Sequence, residues 1–94
     1  MIGVSQIAPS TGTRRVLATI ALYDRRFGTE QIDPVLRLAI HAEISNFLTD
    51  RECDLFYVAA HNDDQATMKR ISAPAIDHVV RLLHARGVVI GGSV

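Results

Sequence analysis

The stretch "LTDRECDLFYVAA", Leu48 to Ala60, most constrains what this chain can fold into. Thr49 and Glu52 stand at capping-box spacing. The hydroxyl can accept from the backbone N–H of Glu52, and the carboxylate can return to the N–H of Thr49. Leu48 and Cys53 occupy the two staple positions that flank the box. A strand has no use for that arrangement. A helix is therefore expected from residue 50 onward, although "LFYVAA" alone has the aromatic and β-branched composition of a strand.

Other helix signals surround it. In "IDPVLRLAIHAEISNFL", Asp33 is an N-cap and Pro34 takes the first helical position, where its missing N–H costs nothing. Leu36, Ile40, Ile44, Phe47 and Leu48 form the side to be buried, and Arg37, His41 and Ser45 the polar side. In "TRRVLATIALYDRRFG", Val16, Ile20, Tyr23 and Phe27 recur at helical spacing. Gly28 stands where a left-handed helix terminus is wanted, and Arg25 and Arg26 suit the negative end. Arg14 and Arg15, however, oppose the dipole at the helix start. The near-continuous apolar run Val16–Tyr23 would also suit a buried strand. The alternative fold is thus a small α/β domain of βαβαβ order, with Val16–Tyr23, Leu55–Ala60 and Val88–Gly91 as strands.

Two more helices are expected further on. In "NDDQATMKRIS", Asn62 caps, Gln65 follows at box spacing, and Asp63 and Asp64 sit on the favourable end of the dipole. In "SAPAIDHVVRLLHARG", Ser72 caps and Pro74 lies in the first turn. Ile76, Val79, Val80 and Leu83 face inward, and Gly87 ends the helix. "VVIGGSV" can form a short C-terminal strand. "MIGVSQIAPSTG" reads as an arm over residues 1–12, leaving one domain over 13–94.

Charge and cysteine content narrow the function classes. Lys and Arg total 10 and Asp and Glu total 10, so no global basic field draws the chain to nucleic acid or an anionic membrane. The single cysteine, Cys53, excludes an internal disulfide and a thiolate-type zinc site. No signal-peptide pattern and no membrane-length apolar run stand out, so a cytoplasmic location is expected.

Residues 63–86 have the spacing of a helix-turn-helix. Ala66 is the small residue for close helix approach, Ile71 plugs the turn and Ser72 caps the second helix. Leu48, Thr49, Arg51 and Glu52, followed in register by Asn62, Ala66, Ile71, Ser72, Ile76 and Val80, resemble the LuxR/GerE-type helix-turn-helix domain of bacterial response regulators. The likeness covers about residues 48–89, with a shortened inter-helix loop, Gln65 at an aliphatic position and Pro74 inside the recognition helix. It implies a mainly α fold: a helix-turn-helix or minimal winged helix of about five helices with a short C-terminal strand. It also implies a regulator that binds double-stranded DNA through the 73–86 helix. Lys69 and Arg70, with Arg86 from the helix end, would hold phosphates, and Ala73, Ala75, Asp77, His78 and Arg81 would line the contact face. Asp63, Asp64 and Asp77 work against such a face. A helical adaptor or inhibitor that binds protein is therefore the alternative function.

"AAHNDDQ", Ala59–Gln65, gathers His61, Asp63 and Asp64. It is similar to the His-Pro-Asp-Asp-Glu signature of zinc-dependent N-deacetylases, which would make His61 and Asp64 ligands and Asp63 the base. Helix-start chemistry accounts for the same residues without a metal, so no cofactor and no catalysis are expected. Cys53 reads as a core residue. The all-round apolar character of Val16, Leu17, Ile20 and Tyr23 points instead to a homodimer interface.

Overall fold

The computed structural model describes residues 10–88. They form four helices: α1 Thr11–Phe27, α2 Pro34–Phe47, α3 Asp50–His61 and α4 Gln65–Ala85. α1 packs against α2 and α3, α4 packs against the same two, and α1 also touches α4. α2 and α3 thus lie at opposite corners. The core runs through Leu22 and Phe27 of α1, Ile40 and Ile44 of α2, Cys53 and Phe56 of α3, and Ala75 and Val79 of α4.

The caps explain the boundaries. Ser10 accepts from the N–H of Thr13 and starts α1, so the helix already includes Thr11 and Gly12, which the sequence assigns to the arm. The rest of that arm, residues 1–9, lies outside the described residues. Asp33 accepts from the N–H groups of Val35 and Leu36, with Pro34 behind it. The Thr49–Glu52 box is closed in both directions, at 3.1 Å and 2.8 Å. Leu48 and Cys53 are both buried beside it.

The expected fold needs three corrections. First, there are four helices rather than five, and no strand among the described residues. The strand alternative fails with it, since Val16–Tyr23 and Leu55–Ala60 are helical. Of the proposed C-terminal strand only Val88 is described. Its N–H is held by the carbonyl of Leu83 at 2.8 Å, while that of Gly87 bonds His84 O at 3.0 Å. With Gly87 at φ 75°, this is a Schellman terminus of α4.

Second, the helix-turn-helix is absent. Residues 71–73, the expected turn, lie inside the unbroken α4. The reason is the apolar stripe Met68, Ile71, Ala75, Val79 and Leu83, buried together with Ser72 along one side of the whole helix. A turn at residue 72 would split that stripe. Its burial outweighs the roughly 3 kcal/mol that an interior proline costs a helix. Pro74 sits on the exposed side, and the Ser72 hydroxyl donates back to Lys69 O at 3.3 Å instead of capping. Ala66, assigned to close helix packing, is exposed.

Third, the punctuation is shifted. Asn62 is the C-cap of α3, and Asp64, not Asn62, is the N-cap of α4. Asp63 between them has φ 53°. The N–H of Asp64 bonds Ala59 O at 2.8 Å and that of Asp63 bonds Ala60 O at 3.3 Å, a second Schellman pattern with aspartate in the glycine position. Gly28, by contrast, is right-handed, with φ −60°. Its side chain is excluded by crowding, because a Cβ would collide with the carbonyl of Asp24.

Candidate interaction surfaces

The residues expected to read DNA do not share one face. Lys69, Arg70, Ala73 and Arg81 are exposed on the outer side of α4. Ala75 is fully buried in the core and is withdrawn from any contact surface. His78 is turned toward α2: its ring lies 4.9 Å from that of Phe47, and its Nε2 is 3.8 Å from Glu43 Oε1. Arg86 caps the far end of α4. The guanidinium of Arg81 is tied to Asp77, one turn back, at 2.9 Å. The outer side of α4 is therefore a mixed-charge solvated face.

The outer side of α1 is different. Val16, Leu17 and Ile20 are 57%, 47% and 44% exposed. A groove of about 330 Å³ between α1 and α2 is lined by Val16, Thr19, Ile20, His41, Ala42 and Ser45. On the other flank, a groove of about 210 Å³ runs along Leu17 and Ala21 against Tyr57 and His61 of α3. Tyr23, grouped by sequence with the exposed three, is buried, and its ring meets that of His41 edge-on at 4.5 Å. His41 is thus half-buried rather than solvated, and its Nε2 and the Thr19 hydroxyl have no hydrogen-bond partner among the described residues.

The two arginines that oppose the α1 dipole hold this end of the bundle together. Arg15 reaches the C-terminus of α2, where its Nη1 donates to the carbonyls of Ser45 and, at 2.7 Å, Leu48. Its Nη2 donates to Asp50 in the first turn of α3 at 2.6 Å. That hydrogen bond to Asp50 raises the arginine pKa further. Arg14 pairs with Asp54 at 3.2 Å and lies over the Tyr57 ring at 4.7 Å. Cys53 sits behind this cluster, and desolvation pushes its thiol pKa up against the opposing pull of Arg15.

His61, Asp63 and Asp64 are each engaged locally. His61 Nδ1 lies 3.2 Å from Tyr57 O, and Asp63 accepts from the Gln65 amide at 2.7 Å. Asp64 accepts from the hydroxyl and N–H of Thr67, which lowers its pKa. Among the described residues no group of three or more His, Cys, Asp or Glu is placed to hold a metal ion. No helix among them is long and apolar enough to cross a membrane.

Several exposed apolar residues escape a reading of the sequence. Val35 and Leu38 extend the uncovered surface along α2, and Leu55 and Val58 lie on the outer side of α3. Their helical spacing marks Val35 and Leu38 off from Ile40 and Ile44, but spacing alone does not say which face meets a neighbour. No protein family, curated protein or solved structure compared with this chain matches it.

Proposed function

We propose that this chain is a helical protein-interaction module whose working surface is the outer side of α1 and the adjoining α1–α2 groove. The observation that carries the reading is the uncovered apolar ridge Val16–Leu17–Ile20, bordered on both flanks by grooves. Contiguous exposed apolar surface of this kind marks association sites. The DNA reading has less support. Its recognition helix is here one half of a continuous bundle helix, Ala75 is core, and Asp77 offsets Arg81.

Carbene footprinting tests the proposal. The chain is labelled alone at low concentration and again in a cell extract cleared of nucleic acid. Protection is expected at Val16, Leu17 and Ile20, with the Lys69–Arg70 segment unchanged. Unprotected α1, together with salt-sensitive binding to mixed duplex DNA that is lost in Lys69→Ala, would overturn it.

A further inference from the structure

Among the described residues four buried side-chain atoms lack a hydrogen-bond partner: Arg14 Nε, Thr19 Oγ1, His41 Nε2 and Asp54 Oδ1. Arg14 and Asp54 are paired with each other at 3.2 Å. Thr19 and His41 have no such relief, and both residues line the groove of about 330 Å³ between α1 and α2. Thr19 is only 6% exposed. A hydroxyl and a ring nitrogen buried without partners cost the fold stability. Native proteins keep few such groups, and each needs a physical reason. Here two of them border one groove, where a ligand can supply the missing partners.

The lining selects the ligand. Val16, Ile20 and Ala42 offer apolar contact, and Ser45 adds a hydroxyl one helical turn on from His41. Among the described residues no Asp, Glu, Lys or Arg lines the groove. Arg15, which reaches Ser45 O, is already tied to Asp50. A charged group entering the groove would therefore shed water and meet no free countercharge. A purely aliphatic group would leave Thr19 and His41 unsatisfied. A neutral group that both donates and accepts satisfies them, whichever ring nitrogen of His41 carries the proton. A carboxamide does this with two separate atoms, whereas the single oxygen of a hydroxyl would have to serve both. Oγ1 and Nε2 are sealed from water. A threonine on a helix has two accessible rotamers, so Thr19 can turn its hydroxyl toward an arriving partner. We infer that the α1–α2 groove takes a carboxamide, the side chain of a glutamine or asparagine presented between aliphatic neighbours by a partner protein. This rests on the reading of α1 as the working surface and names what the partner carries.

The test is an NMR titration of the isotope-labelled full chain at neutral pH, with hexanamide as the probe and hexanoate and hexanol beside it. Saturable shifts are expected at Thr19, His41 and Ser45 with hexanamide, and binding about tenfold weaker with hexanoate. Thr19→Val should weaken hexanamide about fivefold without lowering the melting temperature, and Thr19→Ser should keep the affinity. Shifts that do not saturate, or that miss Thr19 and His41, overturn the inference. So does hexanoate or hexanol binding as tightly as the amide, or an affinity unchanged in Thr19→Val. A water contact to the Thr19 side chain that persists with hexanamide bound would mean that solvent supplies the partner, and overturns it as well. If hexanamide fails while Val16, Leu17 and Ile20 are still protected in cell extract, the carboxamide falls and the surface stands. If α1 is unprotected too, the reading of the surface falls with it.

Discussion

Arg15 and Asp50 are 35 residues apart and their side chains meet at 2.6 Å. The contact joins the start of α1 to the start of α3, and the same guanidinium closes the C-terminus of α2 through Ser45 O and Leu48 O. Arg15→Ala would leave both carbonyls without this donor, at a cost of about 1 kcal/mol for part-buried acceptors left unmade. Asp50→Asn removes only the exposed partner and should cost about 0.5 kcal/mol. Urea unfolding of the two variants checks this. Equal losses would show that the ion pair, not the carbonyl closure, carries the stability.

The unbroken course of α4 makes Pro74 an interior proline. Pro74→Ala restores an N–H to the helix and should raise stability by about 2 kcal/mol. Had Ser72 capped a separate helix, Pro74 would sit in a tolerated first-turn position and the change would be near neutral. Thermal melts of the two proteins distinguish these outcomes.

What the sequence discloses follows from the range of the interactions. The Thr49–Glu52 box, the Asp33–Pro34 start and the C-terminal arginines of α1 are local, and each stands in the structure as its spacing implies. Arg14 and Arg15 mislead because their partners are 30 to 40 residues away, on α2 and α3. The 71–72 boundary misleads because "IS" followed by Pro74 is a valid cap locally, while the stripe from Met68 to Leu83 that overrides it is set by the tertiary core. The α1 surface was half legible. Val16, Leu17 and Ile20 are the uncovered residues, but Tyr23 belongs to the core, where its ring meets His41.

Thr19 is buried, and among the described residues its hydroxyl has no partner. Thr19→Val keeps the volume and removes the desolvated group, so it should stabilise the fold by about 1 kcal/mol. A destabilised variant in urea titration would show that the hydroxyl makes a bond in solution.

Asp63 and Gly87 occupy equivalent left-handed positions at the ends of α3 and α4. Asp63→Gly relieves the side-chain penalty but loses the bond from Gln65, for a net gain of about 0.5 kcal/mol. Gly87→Ala meets no steric obstacle, so its expected loss of about 1 kcal/mol is conformational. Effects of the same sign at both sites would contradict the shared geometry.

Two groups give stability opposite pH dependences. Asp64 has its pKa lowered by the Thr67 hydroxyl and then by the Thr67 N–H. The folded state therefore holds this proton less tightly than the unfolded chain. The contribution is present above the unfolded carboxylate value of about 3.9 and is lost as pH falls through the folded one. Asp64→Asn should flatten that acid limb. Cys53 is the reverse case, raised first by desolvation. Its contribution is complete below the unfolded thiol value of about 8.5 and fades as pH rises toward the folded one. The thiol should accordingly react with a disulfide reagent at pH 8 only through opening of the core, at a rate that rises with urea. Fast labelling of the native protein, at the rate of a free thiol, would place Cys53 outside the packed cluster behind Arg15.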